Sequence, residues 1–64
     1  MDGTVRNNIS IGQTVKVIQK QDQRSGKLTE GKVERILTNA PSHPRGIKVK
    51  LESGIVGRVF EVML

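Results

Sequence analysis

From Gly12 onward, apolar and polar residues alternate in short runs, which is the period of a strand and not of a helix. Thr14-Val15-Lys16-Val17-Ile18-Gln19 puts Val15 and Val17 on one face and Thr14 and Lys16 on the other, and predicts the first strand. Lys20 to Gly26 has no apolar residue and ends in Ser25-Gly26, so a long exposed loop is expected there. A second strand is predicted from near Leu28 to Thr38. Within it Val33 and Ile36 are three apart, and simple alternation cannot bury both, so a bulge or a strong bend is expected. Asn39 to Gly46 contains two prolines and ends in glycine, which neither a helix nor a central strand tolerates; it is the second long loop. Ile47-Lys48-Val49-Lys50-Leu51 is the cleanest alternation in the chain, with three apolar residues facing inward and two lysines facing out. Glu52-Ser53-Gly54 supplies hairpin-turn chemistry, and Ile55 to Val62 returns as the partner strand, with Gly57 marking a bulge or a close backbone approach. Only Thr4 to Ile9 suggests a helical turn, since Val5 and Ile9 are four apart and would share a face.

The order is thus a short turn, then four to five strands joined by two long loops and one tight hairpin. A sheet this small cannot leave two edges and a face open, and curling into a barrel removes both problems. The expected fold is an all-β, SH3-like barrel over residues 1–64 as a single domain. An OB-like barrel needs more length and usually a helix between strands. Composition agrees, because 14 of the 22 apolar residues are β-branched. With no Cys, disulfides and thiolate metal sites are excluded as sources of stability for a 64-residue chain. No apolar run approaches the roughly 18 to 20 residues of a membrane span, and the N-terminus has no apolar segment after a basic start, so a cytoplasmic protein is expected. Asn8-Ile9-Ser10 matches a glycosylation pattern, which has no consequence without secretion.

Two resemblances follow from these residues. The spacing Gly12-x-x-Val15-x-Val17, Gly26, Gly31-x-Val33-x-x-Ile36, Val49 and Gly54 is similar to the KOW-type SH3-like barrel of ribosomal proteins and transcription elongation factors. Asp22 to Gly31, Ile36 to Asn39, Ser42 to Val49 and Gly54 to Val59 resemble the YwbE-like family of small prokaryotic proteins, a match spanning nearly the whole chain. The YwbE-like resemblance implies the domain and its boundaries but no activity and no site residue. The KOW resemblance implies RNA binding or a ribosome-linked role, by analogy of fold.

Catalysis needs a nucleophile or an acid-base pair with an orienting group. With one His, no Cys and no Tyr, the sole pairing on offer is His43 with Asp22, and a loop histidine packed between Ser42 and Pro44 is the simpler reading. A metal site needs three or four convergent ligands, so none is expected, nor is any cofactor. Gly26-Lys27-Leu28-Thr29 is not a phosphate loop: Gln21 stands where its first glycine belongs, Leu28 separates Lys27 from Thr29, and no helix follows. The protein is not expected to be an enzyme.

Charge gives the stronger direction. Eleven Lys and Arg against six Asp and Glu leave a net +5, and excess cations attract phosphate through counterion release without reading sequence. Lys20 to Lys27 holds three cations against Asp22, and Asn39 to Lys48 holds Arg45 and Lys48 with no acid. A barrel that brings these loops to one end forms a basic rim in which Lys20, Arg24, Lys27, Arg45 and Lys48 contact phosphates. Asn39 and His43, with Gln23 and Ser42 nearby, offer hydrogen bonds. The bland reading is that lysines such as Lys48 and Lys50 are solvated surface, that Asp22 and Asn39 close turns, and that the glycines serve turn geometry. With Phe60 the one aromatic residue, base stacking on aromatics, proline-rich peptide recognition and methyl-lysine capture are all disfavoured. What remains is backbone and shape recognition of structured RNA or duplex DNA. The competing class is a protein-interaction module: Val59, Phe60, Val62, Met63 and Leu64 crowd the C-terminus with apolar residues, and an exposed strand there would pair with a partner or a second copy. Closure of the barrel by the same residues is the structural alternative.

Overall fold

The computed structural model describes residues 2–63, so Leu64 of the apolar C-terminus lies outside the described residues, as does Met1. Four strands, β1 (Thr14–Ile18), β2 (Thr29–Ile36), β3 (Lys48–Leu51) and β4 (Val56–Val62), are joined by the expected loops and hairpin. They close into an antiparallel barrel in the order β1-β2-β3-β4, with β4 returning to pair with β1. The all-β expectation and the small SH3-like barrel are therefore what the chain adopts. No helix among the described residues is long and apolar enough to cross a membrane.

Two bent strands make the closure possible. The first half of β2 pairs with β1 (Thr14 opposite Lys32, Val17 opposite Thr29), while its second half pairs with β3 (Val33 opposite Leu51, Ile36 opposite Val49). The register shifts between Val33 and Arg35, which is the bulge that the Val33 to Ile36 spacing called for. β4 divides in the same way, pairing with β3 through Val56 to Arg58 and with β1 through Arg58 to Val62. Its shift leaves Phe60 without an opposite residue, because Lys16 faces Glu61 and Val17 faces Val59. Each bend lets one strand serve two neighbours, so four strands close without a free edge.

Inside lie Ile9, Val15, Val17, Val33, Ile47, Val49, Leu51, Val59 and Val62, all buried, with Ile36 and Ile55 packed against them. No polar or charged side chain is buried among the described residues. The core is thus built almost wholly of β-branched residues, whose stiff side chains fit a pleated surface.

The structure refines several expectations. Val5 and Ile9 do not share a face: the turn is a 3-10 helix of three residues (Arg6–Asn8), Val5 before it is extended, and only Ile9 reaches the core. The Lys20 to Gly26 loop begins with a second short 3-10 turn, Lys20–Asp22. Gly57 is a close approach and not a bulge, since a Cβ there would stand 2.9 Å from the Ile18 carbonyl oxygen. The crowded C-terminus closes the barrel through Val59 and Val62, and leaves Phe60 exposed.

The N-terminal residues do more than precede the barrel. Asp2 bridges to Glu61 and Val5 to Ser42, so this arm lies between β4 and the second loop like a short extra strand. Gly3 accepts the Ile47 amide at 2.9 Å, Thr4 accepts the His43 amide at 2.9 Å, and the Arg6 amide donates to Pro41 at 2.9 Å. Asp2 anchors the arm's own turn, its carboxylate accepting both the Thr4 hydroxyl (2.7 Å) and the Thr4 amide (2.8 Å). Those hydrogen bonds, the hydroxyl's first, hold the Asp2 carboxyl below the usual aspartate range.

Candidate nucleic-acid interface

Both loops are held by hydrogen bonds. In the first, the Gly26 amide donates to the Asp22 carbonyl at 2.8 Å, and Gln19 Nε2 reaches Thr29 Oγ1 at 3.1 Å to close the base. In the second, the Arg6 guanidinium donates to Thr38 O at 3.1 Å, and the Lys48 amide donates to Thr38 Oγ1 at 2.8 Å. The turn that carries Arg45 is tight: the Gly46 amide returns to the His43 carbonyl at 3.0 Å, and the Arg45 amide donates to His43 Nδ1 at 3.1 Å. His43 is therefore engaged in shaping its own loop. Among the described residues no group of three or more His, Asp or Glu side chains is placed to hold a metal ion.

Barrel closure then brings the two loops against one sheet surface. Lys48 lies opposite Arg58, and Arg58 opposite Ile18, so one row crosses β3, β4 and β1. Around that row runs a groove of about 450 Å³, lined by Ile18, Lys20, Gln21, Gln23, Arg45, Lys48, Val56, Gly57 and Arg58. Four cations and two amide side chains line it, and among the described residues no carboxylate does. The rest of its lining is a half-buried Ile18, an exposed Val56 and Gly57. Arg58 is fixed there, its Nη1 donating to the Gly46 carbonyl at 3.3 Å.

Of the residues singled out from sequence, Lys20, Arg45 and Lys48 line this groove together with Gln23. Arg24 and Lys27 lie further along the first loop, exposed and outside the groove lining, as Asn39 does at the start of the second. His43 is outside the groove lining, its Nδ1 accepting the Arg45 amide. Arg58 and Gln21 also line the groove, and the sequence reading did not single them out for the site. A signal for Arg58 was available: counting outward from the Glu52-Ser53-Gly54 turn places it opposite Lys48 and on the outward face.

Charge is distributed unevenly around the barrel. On β1 the outward Lys16 sits between Glu30 of β2 and Glu61 of β4, an alternation of sign across three strands. On the other side Arg35 faces Lys50, and Lys48 faces Arg58, with no acid among these four. By residue count β2 and β4 are each neutral, so the net positive charge is presented mainly by β3 and the two long loops.

A closed antiparallel barrel with a cationic groove beside its two long loops defines a small, basic, SH3-like β-barrel protein. More particularly, the chain belongs to the family described as "Uncharacterized conserved protein (DUF2196)", whose model matches residues 2–62. It is 53% identical over 63 residues to "Uncharacterized protein YwbE" of Bacillus subtilis (strain 168), a match covering 98% of this chain and 97% of that protein. No solved structure gives a significant match.

Proposed function

We propose that this protein is a non-enzymatic, cytoplasmic module that binds nucleic acid, structured RNA above all, by holding phosphates along the groove between its two long loops. The observation that carries this reading is the groove lining: Lys20, Arg45, Lys48 and Arg58 converge, and no carboxylate of the described residues joins them. Converging cations release condensed counterions from a phosphate backbone, which supplies affinity without sequence reading. Gln21 and Gln23 add hydrogen-bond donors and acceptors at the same surface. The resemblance to KOW-type barrels favours structured RNA over duplex DNA.

An amide chemical-shift titration with structured RNA, single-stranded RNA and duplex DNA, each at low and physiological salt, tests this. Saturable, salt-sensitive shifts are expected at Ile18 to Gln23, Arg45 to Lys48 and Val56 to Arg58. No shift with any nucleic acid, in a folded protein, overturns it. A second reading, docking of a protein partner or a second copy against β4, rests on Phe60, which is 59% exposed on that strand. Both edges of β4 are already paired, so such a partner would meet the side-chain face and not add a strand. Apolar docking of that kind is insensitive to salt, which separates the two classes.

A further inference from the structure

Resting on the nucleic-acid reading, the shape of the groove narrows the ligand. We propose that it receives a single unpaired nucleotide extruded from a structured RNA, with the base against Ile18 and the guanidinium planes of Arg45 and Arg58, and the flanking phosphates on Lys20 and Lys48.

Three observations carry this. A groove of about 450 Å³ falls in the range of sites for single small ligands, whereas a surface that only tracks a duplex backbone needs no such recess. A second recess of about 450 Å³ shares Ile18, Gln23, Arg45 and Arg58 with it, so that an apolar side chain, an amide and two guanidinium groups line both, while Lys20 and Lys48 line the groove alone. Unstacked bases are held in this way, on aromatic rings or on arginine planes, with hydrogen bonds to their free edges. No aromatic residue among the described residues lines the recess, so arginine planes are the platform it offers. Finally, Arg58 is positioned before any ligand arrives: its Nη1 donates to Gly46 O, so the plane is oriented and its remaining N–H groups are available. A carboxamide such as Gln23 presents a donor and an acceptor together, which suits a base edge, and it carries no charge.

Fluorescence anisotropy with two labelled RNA hairpins, identical except that one stem carries a single bulged nucleotide, tests the proposal at one fixed ionic strength. The bulged hairpin is expected to bind about tenfold tighter, the worth of one good base stack. Arg58→Lys keeps the charge and removes the plane, so it is expected to weaken binding to the bulged hairpin more than binding to the paired stem, and so to lose the preference. Gln23→Ala, at an exposed position, is expected to reduce the preference without touching the barrel, and gives the same comparison should Arg58→Lys disturb folding. Equal affinity for the two hairpins overturns the nucleotide pocket and leaves phosphate binding standing. Binding of neither hairpin overturns both readings. A preference that survives both substitutions places the extruded nucleotide elsewhere and overturns the assignment of this groove.

Discussion

Gly46 is the residue on which the placement of Arg45 depends. Its φ of +100° lies where side chains are strained, and a Cβ there would come 2.3 Å from the Val59 carbonyl oxygen, a backbone atom that cannot move without shifting β4. Gly46→Ala is expected to cost about 3 kcal/mol or more, combining left-handed strain with the clash. Domains of this size hold about 3 to 10 kcal/mol in all, so the loss should appear as a large drop in urea midpoint. Gly26→Ala is the matched control: φ is +72° and nothing lies within 4 Å, so only the backbone strain of about 1 to 2 kcal/mol is expected. Asp2 sets a pH dependence. Its folded pKa lies below the unfolded one, so its contribution is complete above the unfolded value and is lost as pH falls through the folded value. Acid titration should release the Thr4 amide from its Asp2 contact, a shift that Asp2→Asn should largely abolish in an NMR series.

At the scale of elements, the N-terminal arm and the bent strands share the work of shaping the groove. The arm accepts the His43 and Ile47 amides, on either side of Arg45. Removing residues 2–5 is expected to accelerate hydrogen exchange at His43, Gly46 and Ile47 while the amides of the β1–β2 ladder stay protected. Equal exchange across the second loop in both forms would show that the arm does not hold it. In β2 the bulge lies beside Val33, which is fully buried. Val33→Ala removes two buried carbons and leaves a cavity in a close-packed core, an expected loss of about 2 kcal/mol by chemical denaturation. Phe60→Ser should change stability by less than about 0.5 kcal/mol, because the ring is mostly in water and faces no residue of β1.

For the whole molecule, the asymmetry of charge matters more than its total. Lys16 is balanced by Glu30 and Glu61 across the strands, so neutralising it should leave nucleic-acid affinity nearly unchanged. Neutralising Lys48 should weaken binding to all sequences alike and reduce the slope of log K against log salt by about one. Anisotropy measured over a series of salt concentrations checks both. Equal effects at Lys16 and Lys48 would mean that the +5 charge acts as a diffuse field and not through the groove.

Strand existence, the two loops, the hairpin and even the β2 bulge were legible in the chain because each rests on local rules: side-chain alternation, the backbone limits of proline and glycine, and the mismatch of a three-residue spacing with a period of two. The cations of the loops were equally legible, as was most of the core. Which of those cations share a groove was not. Lys20, Arg45, Lys48 and Arg58 are separated by up to 38 positions along the chain, and they meet because β4 pairs with both β3 and β1 and the stagger of a closed barrel sets Lys48, Arg58 and Ile18 in one row. The same closure turned His43 into a support for its loop, left Arg24, Lys27 and Asn39 outside the groove, and used both edges of the C-terminal strand. Local preference therefore determined the elements and their charge. Long-range pairing, whose register no single segment contains, decided which side chains share a surface.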